Sequence, residues 1–124
     1  MVIIRKFTDL IAWNESHTLV LNIYARTKKF PKDELFGLTS QMRRSAVSVT
    51  SNIAEGFGRH TFKDKVHFFY QARGSLAELR NQLIISRDLS YMTQIEYNEL
   101  EIIVDKSQRL LQGLITSTNN NNRR

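Results

Sequence analysis

Residues 38–58 read LTSQMRRSAVSVTSNIAEGFG, and their apolar side chains recur at steps of three or four positions. The series is Leu38, Met42, Ala46, Val49, Ile53 and Phe57. This spacing places the side chains along one face of an α-helix, which can bury that face against other helices. The pattern therefore predicts a helix over residues 38–57. Gly56 and Gly58 predict its end, because glycine readily adopts the left-handed conformation that often terminates a helix.

Three further segments, residues 8–29, 61–89 and 93–115, have the same helical periodicity. The first should end before Pro31, because a proline disfavours helical geometry in the residue that precedes it. The sequence thus predicts four helices and no strand.

The starts of the last two helices carry a recognisable capping pattern. Thr61 and Asp64 have the spacing of a capping box, and Thr93 and Glu96 repeat it. In this motif the threonine side chain accepts a hydrogen bond from a backbone amide that the helix leaves unpaired. We therefore expect helices to begin at these two threonines.

The connections between these long helices are short, which favours antiparallel neighbours. The sequence therefore predicts an all-α fold, an antiparallel up-down-up-down four-helix bundle formed by residues 1–115. Residues 116–124 are polar and of low complexity, with asparagine at positions 119–122. Such a segment buries little apolar surface, so we expect a flexible tail.

Composition limits the classes of function. The 124 residues suffice for one domain with its own core, and the absence of cysteine excludes disulfides and thiolate chemistry. No apolar run reaches the roughly 18 residues of a membrane span, and the first residues lack the apolar core of a signal peptide. These features predict a cytoplasmic protein with no membrane association. The formal net charge of +6 favours acidic partners such as nucleic acid.

The second helix and its flanks, residues 36–59, closely resemble the bacterial four-helix bundle proteins known as 23S rRNA intervening-sequence proteins. Residues 7–13, 30–34 and 72–79 also resemble that family. The resemblance implies a bundle that assembles into a homopentamer and that some bacteria encode within an insertion in the large ribosomal RNA gene. A related branch is similar to accessory proteins of diversity-generating retroelements, in which a basic pentamer is thought to associate with a reverse transcriptase and nucleic acid.

Six arginines are candidate nucleic-acid contacts. Arg73, Arg80 and Arg87 recur every seven residues and therefore form one ridge along the third helix. This ridge fits a phosphate-binding stripe, and it equally fits a solvated face whose arginines pair with acids such as Glu78 and Asp88.

The other three candidates belong to the segment that carries the family resemblance. They are Arg43, Arg44 and Arg59. Adjacent arginines on a helix cannot both face the same way, so at least one of Arg43 and Arg44 should meet solvent or another subunit.

Phe57 and Phe68 are the candidate oligomer contacts. Phe57 lies in a Gly-Phe-Gly sequence, and Phe68 widens the apolar face of the third helix beyond what a seam with two partners needs, which implies a second buried face. No catalytic residue, metal ligand set or cofactor motif is predicted. The serines of the second helix lack a histidine at a productive spacing, and Gly56-Phe57-Gly58 lacks the lysine of a phosphate-binding loop.

Two functions remain open from the sequence. The first is a noncatalytic homo-oligomer that associates with RNA or DNA through its basic faces. The second is a scaffold for a protein partner, such as a reverse-transcriptase accessory subunit, with no direct role in nucleic-acid binding. The pattern does not decide between RNA and DNA or name a partner, and an enzyme has no support.

Overall fold

The computed structural model describes residues 3–122, and within that range the chain is all-α without strands. Four helices follow one another: α1 spans Ile11–Thr27, α2 Leu38–Phe57, α3 Phe62–Asp88 and α4 Gln94–Asn122. Two short 3-10 turns, Phe7–Asp9 and Lys32–Glu34, precede α1 and α2.

The four helices share one core. Helix α1 packs against α2 and α4, and α3 packs against the same two helices. The largest side chains with almost no exposed surface come from all four helices; they include Leu19, Met42, Ile53, Phe69, Leu79, Leu100 and Leu111. Complete burial of one such side chain stabilises the fold by about 1.5–3 kcal/mol. The apolar stripes of the sequence are therefore the faces that meet in the interior.

Helix α1 begins later than the sequence pattern suggested. The chain first forms the 3-10 turn Phe7–Asp9, and α1 starts at Ile11. The Asp9 carboxylate accepts hydrogen bonds from the backbone amides of Arg5 and Lys6 at 3.0 and 3.1 Å. These bonds hold the pKa of Asp9 below its ordinary value. Asp9 thus orders the segment before the helix rather than capping the helix itself.

The expected flexible tail is wrong for the residues that the structure describes. Helix α4 continues beyond residue 115 to Asn122. The reason is that Thr118 falls on the buried face of α4, and its hydroxyl donates to the Leu114 carbonyl oxygen at 2.8 Å. Arg123 and Arg124, the rest of the expected tail, lie outside the described residues.

The helix starts at Thr61 and Thr93 carry the predicted threonine caps. The hydroxyl of Thr61 accepts from the Asp64 amide at 3.1 Å. At α4 both halves of the capping box form: the Glu96 amide donates to Thr93 Oγ1, and the Thr93 amide donates to Glu96 Oε1, each at 3.1 Å.

The expectation of a left-handed glycine at the end of α2 is wrong. Gly58 has φ of −79°, and no glycine in residues 3–122 has a positive φ. Gly56 is instead a packing position, because a Cβ there would lie 2.7 Å from Cε1 of Phe69 on α3. The left-handed residue is Ser90, with φ of 63°, in the turn between α3 and α4.

Candidate nucleic-acid interface

The six candidate arginines divide into two groups by their partners. Arg59, Arg80 and Arg87 each pair with a carboxylate. Arg43, Arg44 and Arg73 have no carboxylate within salt-bridge distance among residues 3–122. A paired arginine is less available to a phosphate, because binding would have to break or share the existing ion pair. The second group therefore contains the stronger candidates.

Arg80 links α3 to α4 rather than facing solvent. Its guanidinium pairs with Glu101, and it donates to Asp105 Oδ1 and Gln108 Oε1 at 2.8 Å each. The Arg80 side chain is only 29% exposed. Its carboxylate partners lie on α4 and not at Glu78, the acid that the sequence suggested. The ridge of Arg73, Arg80 and Arg87 is therefore interrupted at its centre by an interhelical ion pair.

The two ends of that ridge are also engaged within the chain. Arg87 donates to Asp88 at 3.0 Å, and its guanidinium lies over the Tyr97 ring at 4.5 Å. Arg73 donates to Gln112 at 3.1 Å and lies over Tyr70 at 4.7 Å. Of the two interpretations of the ridge, pairing with acids describes Arg80 and Arg87, but Arg80 pairs between helices and only Arg87 does so on a solvated face. Arg73 keeps its charge unpaired within the described range.

Arg59 lies just beyond the end of α2. It pairs with Glu55 at 3.3 Å, and its guanidinium lies 4.5 Å from the centre of the Phe68 ring. Both charged groups are well exposed, and exposed pairs of this kind typically contribute only about 0.2–1 kcal/mol. Arg59 could therefore exchange its partner at little cost.

Arg43 and Arg44 lie in a mixed basic and apolar surface at the α1–α2 end of the molecule. This surface, which we call the Phe36 patch, is lined by Tyr24, Leu35, Phe36, Arg43, Arg44 and Val47. Arg43 donates from Nε to Thr27 Oγ1 at 3.0 Å, and its guanidinium lies over the Tyr24 ring at 4.8 Å. Arg44 is exposed. The prediction that the two arginines differ in environment thus agrees with their placement, Arg43 being half-buried.

Sequence reasoning missed Phe36 itself. Its side chain is 93% exposed, the highest value among the large apolar residues of the described chain. It lies in the connector before α2, outside any helical periodicity, so no pattern indicated which way it points. The available signals were an aromatic residue in a short polar connector and its position at the start of residues 36–59, the segment that carries the family resemblance.

The connector that carries Phe36 is ordered by hydrogen bonds. The amides of Leu35 and Gly37 donate to the carbonyl oxygens of Lys32 and Glu34. The Glu34 carboxylate accepts from the Leu38 amide at 3.3 Å and from the Tyr91 hydroxyl at 2.9 Å. This carboxylate also raises the pKa of Tyr91, because it stabilises the protonated phenol. Phe36 is thus held in a defined turn.

The two predicted oligomer contacts are half-buried against their own chain. The Lys65 ammonium donates to the Phe57 carbonyl oxygen at 2.6 Å and lies 5.4 Å from the centre of the Phe57 ring. Burial lowers the pKa of Lys65. Phe68 lies under Arg59, as described above. Their role between subunits stays a prediction.

The small polar residues of α2 pack against α3. Ser48 Oγ lies 2.8 Å from Ser75 Oγ, and Asn52 Nδ2 donates to Ser48 Oγ at 3.1 Å. Among residues 3–122, no group of three or more histidine and carboxylate side chains is arranged to hold a metal ion. In the same range, no helix combines the length and apolar character of a membrane span.

Comparison with known proteins gives one family and one fold. Residues 8–113 match the family model described as 23S rRNA-intervening sequence protein. A crystal structure of a Bacteroides thetaiotaomicron protein with unknown function, from the S23 ribosomal protein family, matches with a TM-score of 0.78. It is 20% identical over 85% of this chain and 98% of that one, a likeness that shows the fold. No curated protein matches. Because the family model covers most of the sequence, the chain belongs to the 23S rRNA-intervening sequence protein family.

Proposed function

We propose that this chain is a noncatalytic, antiparallel four-helix bundle that assembles into a homopentamer and associates with RNA or DNA through its basic faces. Within those faces, the Phe36 patch is the principal contact. The observation that carries the proposal is the contrast among the arginines: Arg43, Arg44 and Arg73 have no carboxylate partner in residues 3–122, whereas Arg59, Arg80 and Arg87 do. Of the first three, Arg43 and Arg44 lie together in the Phe36 patch.

The net charge of the segment that carries the patch supports a polyanionic partner. The range 28–44 contains five basic side chains and two acidic ones, namely Lys28, Lys29, Lys32, Arg43 and Arg44 against Asp33 and Glu34. Of the five, Arg43 and Arg44 line the patch itself. Both oxygens of the Glu34 carboxylate accept hydrogen bonds within the chain. Phosphate groups are attracted to such a surface, and the release of their counterions makes the affinity depend on salt.

Contacts between helices support the antiparallel arrangement. Met42 on α2 contacts Ser86 on α3, and Ser48 contacts Ser75. The residue number increases along α2 while that of the partner on α3 decreases, so the two helices run in opposite directions. Arg73 bonds Gln112 and Arg80 bonds Asp105, which gives the same order for α3 and α4.

Two observations support assembly of several chains. The family resemblance implies a homopentamer, and the single chain leaves apolar side chains in solvent, such as Ile95 at 71% and Ile102 at 69% exposed. Sedimentation velocity of the purified protein tests the subunit number. A single species with the mass of the 14.5 kDa chain would contradict the assembly.

Fluorescence anisotropy of nuclease-treated protein with labelled RNA and DNA, titrated with salt, tests the association. The double variant Arg43→Ala/Arg44→Ala should weaken binding to both and reduce the salt slope by about 2, roughly 1 for each lost phosphate contact. The matched control is Lys63→Ala/Arg109→Ala, which removes the same charge from exposed positions outside the patch. Equal loss of affinity in both variants would mean that only net charge matters. Unchanged affinity of the Arg43/Arg44 variant would refute the patch as the contact.

The second candidate function is a scaffold for a protein partner. Ile95 and Ile102 favour it, because they are seven residues apart on α4 and thus form one exposed apolar ridge. If this function holds, the parent should bind neither RNA nor DNA directly, and Ile95→Ser/Ile102→Ser should abolish capture of a stoichiometric protein partner without changing the subunit number in sedimentation velocity.

A further inference from the structure

The structure points to a specific form of nucleic acid at the Phe36 patch. We propose that the patch binds a single-stranded segment, with an unpaired base stacked on the Phe36 ring and the flanking phosphates on Arg43 and Arg44. This inference rests on the proposed function and narrows it, since it names the strand state and the residue that selects it.

The first argument is the geometry of the aromatic side chain. Phe36 is 93% exposed, so both the face and the edge of its ring are open to a ligand. Its turn is fixed by backbone hydrogen bonds and by Glu34, which bonds both the start of α2 and Tyr91. Because the backbone that carries Phe36 is fixed, binding has to restrict only the rotation of its side chain, which suits a stacking platform.

The second argument is the combination of groups beside the ring. Tyr24 is exposed in the same patch, and Arg43 already stacks on it at 4.8 Å. Aromatic rings and guanidinium planes next to free positive charge are the groups that hold single strands, since bases stack while the phosphates pair with cations.

The third argument separates single strands from duplexes. In a duplex the faces of the bases are already stacked on one another, so an exposed aromatic side chain gains nothing from them. Unpaired bases in loops and ends offer free faces. Phe36 should therefore contribute to single-strand binding alone, whereas Arg43 and Arg44 should contribute to both.

A set of variants tests this division of roles. The probes are a labelled uridine-rich single strand and an RNA duplex of equal nucleotide count, measured by anisotropy at one salt concentration. Phe36→Ala should weaken single-strand binding by about 5- to 150-fold, the range for loss of one stacked base, and leave duplex binding unchanged. Phe36→Trp should keep the affinity, and the new indole should be quenched when the single strand binds.

The matched control is Phe62→Ala, which removes the same side chain from an exposed position at the start of α3, outside the patch. It should leave single-strand binding unchanged. Light scattering measures the molecular mass of each variant in parallel. If Phe36 packed against a second copy of the chain, its removal would weaken that contact and lower the mass.

The outcomes are distinct. If Phe36→Ala binds the single strand as well as the parent does, the stacking role is wrong although the proposed function stands. If Phe36→Ala lowers the molecular mass, Phe36 is a contact between subunits or with a protein partner, and the inference is overturned. If the parent binds neither probe at low salt, the proposed function fails, and the inference fails with it.

Discussion

The ring of Phe69 on α3 lies directly against the backbone of Gly56 on α2. A Cβ built on Gly56 would be 2.7 Å from Cε1 and 2.9 Å from Cδ1 of this ring, and 3.0 Å from the Lys65 carbonyl oxygen. Phe69 is 2% exposed, so its ring is enclosed by the core, and protein interiors are packed closely enough that such a ring has little room to move. The close approach of α2 and α3 at this point depends on the absence of a side chain.

The variant Gly56→Ala should therefore be destabilised. An additional methyl group in a filled core forces side chains and backbone to shift, which typically costs about 1–3 kcal/mol. Denaturant unfolding followed by circular dichroism measures the change in the free energy of unfolding. The loss should appear although alanine is intrinsically the better helix former.

Gly74→Ala is the matched control for this substitution. Gly74 lies within α3, and within the described residues a Cβ there would meet no heavy atom within 4 Å. Alanine should stabilise the helix by about 0.5–1 kcal/mol, because it restricts the unfolded backbone. If both substitutions stabilise the protein, the contact between Gly56 and Phe69 does not limit the approach of the helices.

The helices could be predicted from the sequence because their determinants are local. Leu38, Met42 and Ala46 share a face whatever they pack against, and the Thr93–Glu96 capping box lies within four consecutive residues. The role of Gly56 could not be predicted in this way, since it depends on Phe69 from the following helix. The end of α4 was misjudged because composition alone suggests disorder, whereas Thr118 continues the buried face of the helix.

In the candidate site, too, local features could be predicted from the sequence and contacts between helices could not. Net charge and motif drew attention to the arginines, yet the partners of Arg80 are 21 and 25 residues away along the chain, on another helix. The neutralisation of Arg80 is thus a property of the helix pairing, whereas the acids that pair with Arg59 and Arg87 lie within four residues of them. Phe36 was overlooked because the exposure of a residue in a connector depends on the turn that carries it and leaves no periodic signal.

Glu96 should make the stability of the protein depend on pH. The backbone amide of Thr93 is the main cause that holds the pKa of Glu96 below its ordinary value, aided by the Thr93 hydroxyl contact and by Lys29 and Arg26. The pKa of Glu96 is lower in the folded state than in the unfolded state, so the ionised carboxylate stabilises the folded protein. This stabilisation is complete above the unfolded-state pKa of about 4.3. It is lost as the pH falls through the folded-state value.

The variant Glu96→Gln should thus be less stable than the parent at neutral pH by about 0.3–1 kcal/mol, with the difference disappearing in acid. The matched substitution is Asp64→Asn at the third residue of α3. There Thr61 accepts from the backbone amide of Asp64, whereas the described contacts include no return bond from the carboxylate. Unfolding curves at neutral pH and in acid should show a pH-dependent loss for Glu96→Gln and a smaller one for Asp64→Asn. Equal pH dependence of the two variants would contradict the role of the complete capping box.

The end of α4 should tolerate a charge at one position and not at another. Thr118 is buried, whereas Thr116 is exposed on the same helix. Thr118→Asp would place an unpaired carboxylate against the core and should cost about 1–3 kcal/mol, while Thr116→Asp should change stability by less than about 0.5 kcal/mol. Chemical denaturation of the two variants distinguishes a packed helix end from a free tail, for which both substitutions would be harmless.

Arg80 should contribute to stability rather than to nucleic-acid binding. Replacing it with methionine keeps much of the side-chain volume but removes the cation from Glu101 Oε1. The other oxygen, Oε2, is buried and has no hydrogen-bond partner among the described residues even in the parent, so the carboxylate would have little compensation left. Since both side chains retain some solvent exposure, the cost should be about 1–2 kcal/mol, below the roughly 3–5 kcal/mol of a fully buried pair. Arg87→Met is the control, because its partner Asp88 is largely exposed; this variant should lose less than about 1 kcal/mol of stability.

Anisotropy on folded Arg80→Met should give nearly the parental affinity and salt slope, in contrast to Arg44→Ala. A stable Arg80→Met protein with strongly reduced affinity would instead place the phosphate-binding surface along the α3 ridge.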